Sequence, residues 1–331
     1  MTHERRAAID IGTVTTRLLV ADVSDTEVRE VVRRSAITHL GEGWTTTGTL
    51  SEAGMARVEA AIASFARELL ELGVDRVAAV ATSAARDAAN GAVFLDRLEA
   101  AGIRPEIITG VREASLTFRG ATWSGRADGT LVVDIGGGST ELILGEAGAP
   151  ASAKEPGAPA GIAVARSIDV GARRVTELFL ASDPPTADEL ARATAWVADE
   201  LRPFFGLLDE RPRDMVSVAG TATSVAAIEL ELEPYDPERV HGYRIDGAGL
   251  HDVLDRISAM TLEERRRLRG LEPERAGVIV GGALILATVL ALAGLASTLV
   301  SEHDILYGIV LDPESADSRV VPAVGEADTE G

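Results

Sequence analysis

Two aspartates in this chain occupy nearly the same setting. The first closes Ala8-Ile9-Asp10-Ile11-Gly12-Thr13, and the second closes Val132-Val133-Asp134-Ile135-Gly136-Gly137-Gly138-Ser139. Laid on each other, Gly12 matches Gly136, Thr16 matches Thr140 and Leu18 matches Leu142, with a second apolar run after each turn. A short Val- and Ile-rich run bounded by glycine reads as a buried strand, so each copy predicts a tight β-hairpin with an acid at the strand end. A carboxylate there can hold a divalent cation, and small turn residues let backbone N–H groups approach a phosphate. Two such turns facing each other would grip a phosphate chain from both sides.

Two further turns follow strand-like runs, at Thr82-Ser83 and at Gly220-Thr221. A single turn of this kind commonly does no more than reverse the chain. Four of them at strand ends mark the place where open α/β sheets bind ligands, with helix N-termini behind them that favour phosphate. The candidate phosphate-binding residues are therefore Gly12, Thr13, Thr82, Ser83, Gly136, Gly137, Gly138, Ser139, Gly220 and Thr221. Arg86 joins them, because its planar fork matches phosphate oxygens; its alternative role is an ion pair between domains. Thr221 and Thr223 either donate hydroxyls to a phosphate or cap the following helix.

The elements that must carry these residues alternate between strand and helix, which predicts an α/β fold with mixed sheets. A third strand is expected over 27–40, and Ser51 is placed to cap a helix with Met55, Val58, Ile62, Phe65, Leu69 and Leu72 on one face. Strands are expected over 77–81, at Ile107-Ile108, over 162–169 and over 215–219. Thr186 with Glu189, and Thr261 with Glu264, form capping-box patterns. The expected domains are residues 1–125 and 126–312, with a hinge near Gly125 to Gly129, a flexible loop over 147–161 and a disordered acidic tail over 313–331.

Composition narrows the chemistry. The 331 residues contain no cysteine, which excludes disulfides, thiolate metal sites and cysteine nucleophiles. His3, His39, His241, His251 and His303 show no metal-ligand spacing. A formal net charge of −20 argues against nucleic-acid partners, and it requires arginines or divalent cations to reverse the field at a polyanion site. No secretory pattern opens the chain, so a cytoplasmic location is expected. Residues 276–300 carry no charge, but four glycines interrupt them and no second apolar span accompanies them. They are read as a buried core helix followed by a strand, and no membrane partner is expected.

At this point residues 7–312 resemble the exopolyphosphatase and guanosine pentaphosphate phosphatase family, which has the duplicated actin-like (ribonuclease H-like) fold with a central cleft. The resemblance rests on Asp10-Ile11-Gly12-Thr13, Ala81 to Arg86, Arg112-Glu113-Ala114, Asp134 to Glu141, Ala219 to Ser224 and Ser301 to Leu306. It implies hydrolysis of a terminal phosphoryl group with Mg²⁺. Glu113 then orients or deprotonates the attacking water, although a glutamate there also complements the positive end of a helix. The family's metal-associated acids match Asp134 and Glu141; Asp10 is the equivalent acid of the first hairpin, binding the cation through water or capping its own turn. The partners implied are inorganic polyphosphate or guanosine pentaphosphate, and a homodimer.

Two departures stand out: Val14 where the family usually has asparagine, and Gly277 where it often has aspartate. The family's longer members carry further C-terminal helical domains that this sequence lacks, so short polyphosphate or a compact nucleotide carrying a triphosphate is the expected substrate. A sugar-kinase-like phosphotransferase would need an acceptor-binding aspartate and an adenine pocket, and neither can be assigned. A non-catalytic sensor of polyphosphate or alarmone is the remaining alternative, motivated by Val14.

Overall fold

The computed structural model describes residues 3–24, 27–123, 128–146, 161–315 and 318. The chain divides into two compact units, Met1–Ile108 with Ile309–Gly331 and Thr109–Gly308. The first unit contains β1 (Glu4–Ile11), β2 (Thr15–Val23), β3 (Val28–Ile37), α1 (Trp44–Thr47), α2 (Glu52–Glu71), β4 (Arg76–Ala81), α3 (Ser83–Asp87), α4 (Gly91–Ala100) and β5 (Glu106–Ile107). Its sheet runs β3-β2-β1-β4-β5. The first three strands form an antiparallel meander, and β4 and β5 add in parallel to β1.

The periodicity expected of α2 is realised in the core. Met55, Val58, Ile62, Phe65 and Leu69 are buried with Ile9, Ile11, Leu18 and Val20 of the sheet. Ser51 accepts the Gly54 N–H at 3.1 Å and starts the helix where the sequence places it.

The second unit contains α5 (Gly110–Ala121), β6 (Thr130–Ile135), β7 (Thr140–Gly145), β8 (Ile162–Ile168), α6 (Ala172–Phe179), α7 (Ala187–Phe205), β9 (Asp214–Val218), α8 (Ala219–Glu229), α9 (Pro237–Val240), β10 (Arg244–Asp246), α10 (Gly247–Ser258), α11 (Leu262–Arg265), α12 (Ile279–Ala293) and β11 (Ser297–Ser301). A last helix, α13 (Ile305–Leu311), leads back to the first unit. The sheet order is β10-β11-β9-β6-β7-β8. Read from β8 to β11 it repeats the order and strand directions of the first sheet, with β10 added at the edge. This is the duplicated actin-like α/β architecture that the family resemblance implies.

The expected border between residues 125 and 126 falls later than the junction at Thr109. The reason is α5, whose Ala114, Phe118 and Ala121 share a buried cluster with Val132, Ile143 and Val216 of the second sheet. Residues 124–127, 147–160, 316–317 and 319–331, on which the expected hinge, loop and tail largely fall, lie outside the described residues.

The uncharged stretch becomes α12 and β11, as expected. Leu284, Ile285, Leu286 and Val289 are buried to 2% exposure or less, each contributing about 1.5–3 kcal/mol of apolar burial. Two of its glycines mark close contacts: a Cβ on Gly281 would lie 2.6 Å from the Ala172 carbonyl oxygen, and one on Gly282 2.8 Å from Thr221 Cγ2. Among the described residues no helix is long and apolar enough to cross a membrane.

The capping box at α7 sets a pH dependence. The Glu189 carboxylate accepts from the Thr186 N–H and hydroxyl, and from Ala181 and Ser182. These donors, the Thr186 N–H foremost, hold its pKa down at about 2. A carboxyl whose pKa is depressed on folding stabilises the protein above its unfolded pKa, and that gain is lost as pH falls through the folded value. Glu189→Ala is expected to lower Tm by about 2–4 °C at pH 7, with the difference from the wild type shrinking between pH 4.5 and 2 in thermal melts.

Candidate active site

The two hairpin turns are built alike. Gly12 donates its N–H to the Thr15 carbonyl at 2.9 Å, and Gly136 donates to the Ser139 carbonyl at 3.0 Å. Both places are tight for a side chain, since an added Cβ would stand 3.1 Å from the Thr15 carbonyl oxygen and 3.3 Å from that of Ser139. Each turn uses its carbonyls within its own unit. The Thr13 carbonyl accepts from Gly41, and the Val14 carbonyl accepts from Thr38 and His39. In the second unit the Gly136 and Gly137 carbonyls accept the N–H groups of Ala172, Arg173 and Arg174 at the start of α6. The Gly138 carbonyl accepts from Arg174 Nε at 3.1 Å.

The N–H groups are treated differently. Among the described residues, those of Thr13, Val14, Gly137, Gly138 and Ser139 have no hydrogen-bond partner, although all five residues are buried. A buried N–H without a partner is costly, roughly 1–3 kcal/mol each, unless water or a ligand satisfies it. Turns with occupied carbonyls and open N–H groups are concavities for anions. Val14, which replaces the family's asparagine, keeps its side chain buried and contributes its backbone to the turn.

Register places a short polar row beside each turn. In the first sheet Val80, Asp10, Arg17 and Ser35 are neighbours across β4, β1, β2 and β3. In the second, Val218, Asp134, Glu141 and Ser167 are neighbours across β9, β6, β7 and β8. Residues directly opposite on paired strands place their side chains on the same face. The rows differ in charge at one position. Arg17 Nη2 lies 2.6 Å from the Asp10 carboxylate, which makes a neutral pair. The second row sets Asp134 opposite Glu141, two buried carboxylates at 8% and 2% exposure. The Gly136–Gly138 turn brings these acids together, as the sequence requires.

This chemistry suits Mg²⁺, which binds through one or two carboxylates and completes its shell with water and substrate phosphates. Among the described residues no group of three or more His, Asp or Glu could hold an ion unaided. Asp134 and Glu141 offer the richer donor set; Asp10 is already engaged by Arg17.

The other two predicted turns also lie at strand ends. Thr82 N–H bonds the Ile11 carbonyl, and the Ser83 hydroxyl lies 2.9 Å from that of Thr13, so two of the predicted residues touch. Arg86 bonds the Ile108 carbonyl and pairs with Asp87, both within the first unit. Thr221 donates to the Ile135 carbonyl at 3.1 Å, and Thr223 to that of Ala219 at 3.2 Å. Neither α3 nor α8 has a side-chain cap, whereas Ser51, Thr109, Thr186, Asp236, Asp246 and Thr261 cap other helices. Gly220 is bare because the Arg275 guanidinium lies over it: a Cβ there would be 1.9 Å from Nη1.

Glu113 lies in the first turn of α5, behind the Thr109 cap, and is 8% exposed. Its backbone position puts it at the positive end of the helix dipole. Gly110, one turn earlier, packs against Ser167 of the polar row. Glu113 therefore belongs to the same unit as Asp134, Glu141 and the glycine turn.

Three polar residues next to these positions escaped the sequence reading: Arg17, Ser167 and Arg275. Arg17 was within reach, because the repeat that aligns Thr16 with Thr140 aligns Arg17 with Glu141. Ser167 and Arg275 carry no local signal, since strand register and helix packing place them.

The residues 19–312 match the Ppx/GppA phosphatase family. Exopolyphosphatase 2 of Mycobacterium tuberculosis is 40% identical over 328 residues, spanning 94% of this chain and 99% of the relative. The crystal structure of an exopolyphosphatase-like protein superposes with a TM-score of 0.86 at 35% identity, covering 94% of this chain and 98% of the other. The Aquifex aeolicus PPX-GPPA enzyme does so with a TM-score of 0.76 at 30% identity, covering 93% and 99%.

The buried Thr13–Ser83 contact yields a direct test. Thr13→Val leaves the Ser83 hydroxyl without its partner and is expected to cost about 1–2 kcal/mol in urea unfolding, with Thr13→Ser close to the wild type.

Proposed function

The chain belongs to the Ppx/GppA phosphatase family, and on that premise we propose that it is an Mg²⁺-dependent exopolyphosphatase that releases orthophosphate from the end of inorganic polyphosphate. The observation that carries this reading is the like turn in each unit, whose N–H groups, on buried residues, have no partners among the described residues while their carbonyls are occupied. Oxygen-rich, base-free phosphates match that donor pattern. Within the first unit the Thr13 and Val14 N–H groups suit phosphate oxygens, and within the second those of Gly137, Gly138 and Ser139 do. Arg17, Arg86 and Arg275 each pair with a carboxylate, of Asp10, Asp87 and Glu272, so on a chain of net charge −20 a divalent cation is needed to offset a polyanion's charge.

Asp134 and Glu141 hold the cation, and Mg²⁺ when bound neutralises charge on the phosphoryl group. Glu113 accepts a proton from the attacking water. The oxygen of that water bonds to the terminal phosphorus, the bridging P–O bond breaks, and the shortened chain leaves with the electron pair. Phosphoryl transfer depends mainly on positioning and charge neutralisation, so one carboxylate suffices as base. A homodimer in the cytoplasm is the setting we propose.

One observation favours a second reading, conversion of guanosine pentaphosphate to tetraphosphate. His303 stacks on Tyr307, ring centroids 4.0 Å apart, and lies 4.4 Å from the tilted ring of His241, which is exposed. Glu302, beside them, accepts the Tyr235 hydroxyl. An exposed imidazole beside further rings is a surface on which a base can lie.

Orthophosphate release should therefore be measured with short polyphosphate, long polyphosphate and guanosine pentaphosphate, each with Mg²⁺ or with EDTA. Release from polyphosphate that EDTA abolishes is expected; release from guanosine pentaphosphate alone would favour the second reading. Glu113→Gln is expected to lower kcat by about two orders of magnitude with KM little changed, and an unaltered kcat would remove Glu113 from the mechanism.

A further inference from the structure

Ser167 is engaged on two sides. Its Oγ donates to Glu141 Oε1 at 2.6 Å, and it is the register partner of Glu141 across β7 and β8. Its Cβ faces the opening of α5: a methyl placed on Gly110 would come 2.7 Å from Ser167 Cβ and 3.2 Å from Oγ. Gly110 is the first residue of the helix whose first turn carries Glu113. One serine thus touches a carboxylate of the acidic row and the base of the helix bearing the proposed proton acceptor.

We propose that Ser167 is a positioning residue that fixes the Glu141 carboxylate for the divalent cation and sets where α5 begins against the sheet. The proposal rests on the reading above that Asp134 and Glu141 hold that cation. A short O–H···O⁻ bond is charge-assisted and directional, so it selects one orientation of a carboxylate on a crowded strand. Donors that orient a metal-binding carboxylate are worth about 10–100-fold in metal affinity. The row of the first unit offers a contrast. There the residue equivalent to Glu141 is Arg17, which pairs with Asp10, and the same serine position is Ser35. The serine recurs in both halves, but in the second half its hydroxyl serves an acid.

The test is a Mn²⁺ titration of the full chain without substrate, followed by electron paramagnetic resonance of free Mn²⁺. Wild type, Glu141→Gln, Ser167→Ala and Ser167→Thr are compared. Glu141→Gln should lose most of the binding, which checks the underlying metal reading on its own. Ser167→Ala should weaken Mn²⁺ about tenfold or more, and raise the Mg²⁺ concentration for half-maximal orthophosphate release by a similar factor. Ser167→Thr keeps the hydroxyl and should stay within about threefold of wild type. Separately, Gly110→Ala should lower kcat about tenfold at saturating Mg²⁺, because α5 must shift.

Wild-type affinity in Ser167→Ala, with binding lost in Glu141→Gln, overturns the proposal and leaves the metal reading standing. Wild-type affinity in Glu141→Gln overturns the metal reading and the proposal with it.

Discussion

The structure depends on an imbalance between donors and acceptors in two short turns. A backbone turn brings carbonyls and N–H groups in equal number, and burial demands partners for both. Here α6 takes up the carbonyls of the glycine turn, and the segment from Thr38 to Gly41 takes up those of the first turn. What remains is a set of buried N–H groups without partners among the described residues. Such a set suits an acceptor-only ligand, and phosphate oxygens meet that description. The folding cost of leaving these donors open is recovered when the ligand binds, so stability is exchanged for affinity at these positions.

The duplication makes the division of labour plain. Both sheets present the same row of four residues, and only the third position changes in charge. Arg17 neutralises its aspartate in one half, and Glu141 doubles the acid in the other. Two carboxylates on facing strand positions repel each other, which is poor design for stability and good design for a cation. At this row position the halves differ: one hairpin sets an arginine beside its aspartate, the other a second acid, each behind the same kind of turn.

Much of this was legible in the sequence because the signals are local. The Asp-Ile-Gly repeat fixed both hairpins, and Ser51, Thr186 and Thr261 announced their helices through side-chain caps that the structure contains. The apolar stretch reads as core because glycines interrupt it and no second span accompanies it; two of those glycines, Gly281 and Gly282, lie at close contacts. What the sequence did not show depends on distant pairing. The junction at Thr109 follows from α5 packing on strands that come later in the chain. The roles of Ser167 and Arg275 follow from register and packing, since Ser167 meets Glu141 only once β8 has paired with β7.

The most direct test of the central claim is amide NMR of the ¹⁵N-labelled protein, observing Thr13, Val14, Gly137, Gly138 and Ser139 on addition of Mg²⁺ with a non-hydrolysable triphosphate analogue. The account predicts downfield shifts and slowed hydrogen exchange at these five amides, as each gains a phosphate acceptor. Unchanged shifts and exchange at all five, under conditions where the analogue is bound, would contradict it.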